Sequence, residues 1–256
     1  MSLREDINFL VSQVLLEIRS NFKWDEFKKI DGLTDKAIYL SKTGTEVLGE
    51  GSARIVYLLS NRYVLKLAQP SSPKRGMAQN KYEAELATDP DFKPVIAQVY
   101  DFADDYSWMV SELVRPLKNQ KEFETLTGVP FMHLFKLLSV VFEGKLEETL
   151  DHLRKQRDSY KKEIRELDKE SPTYNGDLQF LVRHLKYIQE EFQIFAELPE
   201  KPFVKAVLDL VENKGSMIAD MKVIDHWGKT ADGRVVLLDY GYSREVARDH
   251  YGVSWV

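Results

Sequence analysis

The chain contains no cysteine. That absence excludes disulfides, thiolate nucleophiles and cysteine-ligated zinc, and it suits a reducing compartment. An excess of positive charge is also missing: 36 Lys and Arg stand against 41 Asp and Glu, a formal net charge of -5 over 256 residues. This balance argues against a protein whose main work is gripping nucleic acid. No internal repeat or low-complexity segment breaks the chain. The opening stretch MSLREDINFLVSQVLLEIRSNF is interrupted by Glu and Arg, too polar for a signal h-region or a membrane span. These absences lead us to expect a cytoplasmic protein without a membrane partner.

What is present is ordinary for a globular chain: 43% hydrophobic and 30% charged residues, long enough for one domain of two lobes or two small domains. Ile7, Leu10, Val11, Val14, Leu15 and Ile18 share one helical face. That spacing predicts a packed amphipathic helix, with a membrane-surface or partner helix as the other reading. Three regimes then follow. Thr45 to Val114 is strand-like, interrupted by one helical pattern, MAQNKYEAELATD; Lys118 to Asn213 is helical; Met217 to Ser243 is strand-like again. The expected division is 1–44 as N-terminal helix and lead-in, 45–114 as a strand-rich lobe and 115–256 as a helical lobe, with its loops of interest at 217–243.

Two heptad ladders lie in the helical regime. One runs Leu146, Leu150, Leu153, Tyr160, Ile164 and Leu167, with Arg157 on one rung; the other runs Leu181, Leu185, Ile188, Phe192 and Phe195. SPTYNG between them is a concentrated turn signal. The pattern predicts a helical hairpin over about 145–197, packed within its own lobe rather than dimerising, and open to a protein partner on its free side.

The first group of candidate residues lies in VLGEGSARIVYLLSNRYVLKLA, Val47 to Ala68. Gly49 and Gly51 stand in a turn, where glycine lets backbone N–H groups approach phosphate oxygens; alone, such a pair is more often a plain hairpin turn. Val64, Lys66 and Ala68 share one strand face, and Lys66 between apolar neighbours reads as half-buried. A buried ammonium needs a carboxylate or phosphate partner. The following helix offers Glu83 or Glu85, about 200° apart on a helix, and Glu83 follows AQN at helical spacing.

The second group lies in MIADMKVIDHWGKTADGRVVLLDYG, Met217 to Gly241. ADGR is a hairpin turn that pairs VVLL back toward HWGK, and Asp239 emerges at the strand's end beside Asp225 and His226. Asp220 and Lys222 lie one loop before. Converging carboxylates of this kind can hold Mg²⁺, a hard ion that prefers oxygen ligands; each Asp taken singly is an ordinary turn or cap residue.

A glycine loop, strand lysine, helix glutamate, Asp-x-Lys loop and Asp-aromatic-Gly, in that order, resemble the protein-kinase-like phosphotransferase superfamily. GEGSARIVY, VLKLA, AQN and LLDYG are also similar to segments of uncharacterised kinase-like proteins of tailed phages and bacteria, which would place a phage-encoded chain in host cytoplasm. The resemblance implies an α+β two-lobe fold with an antiparallel N-lobe sheet, one N-lobe helix, and a mostly helical, truncated C-lobe carrying the inserted hairpin. It implies ATP and Mg²⁺, with Gly49, Gly51, the Ser52 backbone and Val56 over the phosphates and Lys66, held by Glu83, gripping them. WMVSELV resembles the fifth strand and hinge, making Ser111 the gatekeeper and putting the backbones of Glu112 and Val114 against adenine. Asp220 falls on the catalytic aspartate and Lys222 on the lysine two residues later. Asp239, 19 positions after Asp220, falls on the principal metal ligand and Asp225 on the second, with His226 as its alternative.

There are departures from the pattern. Arg54 replaces the third glycine, either reaching the phosphates or standing solvated on its strand. Ile218 and Ala219 replace His and Arg of the catalytic loop, and no A-P-E segment follows. The family's peptide-binding helices are therefore not expected, and the hairpin is closer to small-molecule kinases of the aminoglycoside or choline type. The acceptor, protein or small molecule, is not readable. Two rival functions stay open: a pseudokinase that binds nucleotide or partners without catalysis, and a kinase-fold enzyme that transfers AMP.

Overall fold

The computed structural model describes residues 22–216 and 218–253. The amphipathic helix expected over Ile7–Ile18 lies outside the described residues.

Alternating apolar residues build the first lobe as a five-stranded antiparallel sheet in the order β1-β2-β3-β5-β4. Its strands are β1 (Glu46–Glu50), β2 (Arg54–Leu58), β3 (Tyr63–Ala68), β4 (Val99–Phe102) and β5 (Trp108–Glu112). The SNR reversal sets the β2–β3 register, with Val56 opposite Lys66 and Arg54 opposite Ala68. Every residue of β3 is buried, so Lys66 is fully rather than half-buried. Glu83 and the Leu238 carbonyl enclose Lys66 on the inner face, and the outer face is closed by a layer that the sequence reading left as lead-in. Helices α1 (Trp24–Lys29) and α2 (Leu33–Lys42) cover the outer sheet face, packing Trp24, Phe27 and Leu40 against Leu65, Leu67, Trp108 and Val110. Edge-on ring contacts, such as Trp24–Trp108 at 5.0 Å, each add about 0.5–1.5 kcal/mol beyond burial. Lys36 closes the α1–α2 corner, its ammonium donating to the carbonyls of Phe27 and Ile30 at the end of α1.

Helix α3 (Pro73–Ala87) begins with proline at its first position and crosses the inner side of the sheet. Gly76 permits that docking, because a Cβ there would fall 2.3 Å from the Ala53 carbonyl oxygen. After β5 the chain passes through β6 (Arg115–Pro116) into the helices α4 (Gln120–Thr127), α5 (Phe131–Phe142), α6 (Leu146–Glu166), α7 (Tyr174–Glu197) and α8 (Pro202–Glu212). The α6–α7 pair is the expected hairpin. Leu150, Leu153, Ile188 and Phe195 from its ladders are buried in the second core, alongside Phe123, Phe131, Leu134 and Val207. Among the described residues no single helix is long and apolar enough to cross a membrane.

The short α9 (Ile218–Met221), then β7 (Trp227–Lys229) and β8 (Val235–Leu237), carry the second group of candidate residues. The Asp-Gly turn closes β7 on β8 as expected, and β6 adds a third strand, in the order β6-β7-β8. Helix α10 (Arg244–Tyr251) is capped by Ser243 Oγ, which accepts from the Val246 N–H. It packs against α3. The molecule is thus an α+β fold of two lobes, a five-stranded antiparallel sheet above a mostly helical part.

Candidate nucleotide site

Between the lobes lies a cavity of about 720 Å³. From the first lobe Gly49, Gly51, Ser52, Arg54, Val56 and Lys66 line it; from the linker, Ser111, Glu112 and Val114; from the second lobe, Asp225, His226 and Asp239. Sequence positions nearly 200 apart meet there because β2 and β3 aim alternate residues downward while the β7–β8 hairpin delivers the end of β8 from below.

Four charged groups form its inner wall. Lys66 Nζ sits 2.6 Å from Glu83 Oε2 and donates to the Leu238 carbonyl at 2.7 Å. Arg54 Nη2 lies 2.7 Å from Glu83 Oε1 and 2.5 Å from Asp239 Oδ1, and Arg54 Nη1 donates to Asn80 Oδ1 at 3.3 Å. Asn80 is held in turn by donating to the Tyr106 carbonyl at 2.9 Å. Glu83 is wholly buried and Arg54 is 6% exposed, whereas the Asp239 side chain is 53% exposed. The solvated reading of Arg54 therefore needs correction: it is buried and engaged by two carboxylates. Burial works against charge on Arg54, but Glu83 and Asp239 outweigh it and hold the guanidinium above its ordinary value. Burial lowers the Lys66 ammonium, with Glu83 opposing. Burial also pushes against ionising Asp239, yet Arg54 and Lys66 keep its carboxyl below the usual range.

Asp220 does not line the cavity. It sits on α9, close enough to Asp239 and His226 to feel both charges. Burial first, and Asp239 second, push its carboxyl up to about 6, with His226 opposing. His226 Nδ1 donates to the Asp220 carbonyl at 2.9 Å. Trp227, fully buried, ties this loop to the hairpin by donating from Nε1 to the Met221 carbonyl at 2.7 Å. Lys222 is exposed and makes no ion pair among the described residues.

The linker is fastened from both sides. Arg234, in the Asp-Gly turn, donates from Nη2 to both Glu112 oxygens at 2.9 Å, and the Leu113 N–H donates to the Arg62 carbonyl. Ser111 Oγ is buried, has no hydrogen-bond partner among the described residues and borders the cavity. Such a group is costly to leave unpaired. Tyr240 was read only as the aromatic of DYG; its hydroxyl donates to the Ala97 carbonyl at 2.6 Å and anchors the end of β8. Sequence reasoning also missed Asn80, although it precedes Glu83 by one helical turn and so shares its face.

Among the described residues no three His, Asp or Glu side chains form a closed metal cage. Asp225 and Asp239 nevertheless bring two carboxylates to one cavity, the donor set of a hard cation completed by phosphate oxygens. One Asp239 oxygen is already occupied by Arg54. By donor type these carboxylates suit a hard cation such as Mg²⁺.

No protein-family model matches the chain, and no curated protein matches it. Solved structures with a distant likeness include APH(2")-IIa in a ternary complex with streptomycin and ATP. It is 10% identical, with 94% of this chain and 72% of that chain covered and a TM-score of 0.33. Another is APH(2")-IIIa in complex with GDP and kanamycin, 11% identical, with 83% and 73% covered and a TM-score of 0.34.

Proposed function

We propose that the chain is a nucleotide-dependent phosphotransferase that moves the γ-phosphate of ATP to a hydroxyl acceptor. The observation that supports this most is the buried Lys66–Glu83 pair facing the same cavity as Asp225 and Asp239. A structural ion pair has no need of a large cavity beside it, and perturbed charges in a cleft mark functional sites.

In this reading Lys66, steadied by Glu83, grips the α- and β-phosphates while the backbone of Gly49, Gly51 and Ser52 covers them and Val56 packs above. The base lies against the linker backbone at Glu112 and Val114, and Ser111 Oγ offers it the hydrogen bond that the hydroxyl lacks within the protein. Asp220 receives the acceptor's proton as the acceptor oxygen bonds to the γ-phosphorus and the bond to the ADP oxygen breaks. Its raised carboxyl suits that task, since a base works best when its pKa lies near the working pH. Lys222 offsets charge on the phosphoryl group in flight. Mg²⁺, held by Asp225 and Asp239, would supply charge neutralisation between the phosphates. Catalysis of this kind is mainly positioning and electrostatics.

A second reading is favoured by one observation. Arg54 on Asp239 occupies part of the metal-binding carboxylate, as in a module that binds nucleotide and transfers nothing. Incubation with γ-labelled ATP, Mg²⁺ and a panel of hydroxyl acceptors, beside Asp220→Ala and Asp239→Ala, separates the two. Transfer above the Asp239→Ala level supports the enzyme. Thermal stabilisation by ATP with no label moved supports the binding module. The absence of both effects removes the nucleotide reading altogether.

A further inference from the structure

We infer that Arg54 serves as the resident cation of the nucleotide site, so that nucleotide binding depends little on divalent metal. The inference rests on the nucleotide reading and specifies how that site handles charge.

Arg54 stands where a glycine loop ordinarily has no side chain, and it is held by three groups at once: Glu83, Asp239 and Asn80. Asn80 is itself fixed to the Tyr106 carbonyl, so the guanidinium is located from behind as well as from the cleft. Its planar fork can face two carboxylates and an amide oxygen together, which a lysine ammonium at the same position does not do.

The charge count gives the consequence. Lys66 and Glu83 pair with one another, as do Arg54 and Asp239, so the inner wall is neutral without any bound ion. Remove Arg54 and the wall becomes net negative: Glu83 and Asp239 face one Lys66. A triphosphate would then meet repulsion that only a divalent cation relieves. With Arg54 present that screening is built into the chain. Arg54 also competes with metal for Asp239 Oδ1, and so weakens what metal adds. Both effects flatten the metal dependence of binding. The remaining oxygen of Asp239 and the Asp225 carboxylate stay available for the transfer step.

The test is isothermal titration of the full chain with a non-hydrolysable ATP analogue, in excess EDTA and in excess Mg²⁺. In the native chain the two Kd values are expected to agree within about threefold. In Arg54→Ala the EDTA value rises at least about tenfold above the Mg²⁺ value, and Arg54→Lys falls between. Asp239→Asn provides a second route that keeps Arg54 and leaves the wall positive. It is expected to bind the analogue in EDTA at least as tightly as the native chain. Thermal melting checks that each variant is folded. If Arg54→Ala does not fold, Asp239→Asn decides: metal-free binding lost in that variant overturns the inference. A native chain that binds only with Mg²⁺ overturns the inference and leaves the nucleotide reading standing. Analogue bound under neither condition overturns both.

Discussion

Lys66 Nζ and Glu83 Oε2 are 2.6 Å apart, and both side chains are buried. Glu83 also contacts Arg54, so one carboxylate touches two buried cations. Replacing it with glutamine keeps the shape and removes the charge, leaving Lys66 without a carboxylate partner. Breaking a buried pair in this way costs about 3–5 kcal/mol. For a chain of this size that corresponds to a melting temperature lower by roughly 10 °C for Glu83→Gln. A fall of less than 2 °C in a thermal unfolding scan would show that the pair contributes little.

Asp220 gives a pH signature in two observables. Its carboxyl is pushed up to about 6 from an ordinary 3.8 by burial, with Asp239 adding and His226 opposing. Between those two values the folded chain holds the proton more tightly than the unfolded chain. The stability contributed by Asp220 is therefore present at low pH and is lost as pH rises through about 6. Asp220→Asn should remove that loss. The variant is expected to be more stable at pH 7 by about 1–2 kcal/mol, after allowance for the residue's partial exposure, and no more stable at pH 4. Phosphoryl transfer needs the ionised carboxylate, so kcat/KM of the native chain should rise with pH through about 6, while the variant stays inactive throughout. Equal stabilisation at both pH values would contradict the assignment.

How much of this was readable beforehand differs from residue to residue. Lys66 and Glu83 could be paired because an apolar strand makes an isolated lysine expensive, and helical spacing then singles out one glutamate. The β7–β8 hairpin was legible from Asp-Gly alone. The solvated alternative for Arg54 was wrong, although strand alternation already carried the clue: Arg54 and Val56 are two residues apart and share one face with their register partners Ala68 and Lys66. What alternation does not tell is which of those residues meets a charge from another lobe. The 185-residue separation between Arg54 and Asp239 is a tertiary fact with no local signal. The α1–α2 layer was missed for a related reason. Its aromatics, Trp24 and Phe27, read as a short polar stretch until the outer face of β3 and β5 supplies the surface they cover.

Gly241 needs its lack of a side chain for room rather than for backbone conformation. A Cβ there would lie 2.9 Å from both the Cβ and the carbonyl oxygen of Gln79, and 3.0 Å from Glu83 Oε1. Helix backbone yields less readily than a flexible side chain. Gly241→Ala should therefore push α3 away from the end of β8 and cost about 1–3 kcal/mol. Nucleotide affinity should fall with it, because Glu83 moves together with α3. Unchanged thermal stability and unchanged nucleotide Kd would show that the contact is loose.

Helix α10 fastens α3 from the other side. Tyr251 OH accepts from Gln79 Nε2 at 3.0 Å, the Arg75 guanidinium lies 4.6 Å from the Tyr251 ring centroid, and Arg75 Nε donates to the His250 carbonyl at 3.0 Å. Gln79 precedes Glu83 by four residues and so shares its helical face. Holding Tyr251 against Gln79 thus steadies the face that presents the glutamate to Lys66. Tyr251→Ala removes a hydrogen bond and a cation–π contact, each worth about 1 kcal/mol. The expected result is local: amide exchange in α3 about tenfold faster or more, with α5 and α8 unaffected, since opening free energies vary between cooperative units. Nucleotide affinity should weaken severalfold while Tyr251→Phe, which keeps the ring over Arg75, loses less. Uniform acceleration across both lobes would point to a general loss of stability, and unchanged protection in α3 would mean that α10 does not hold it.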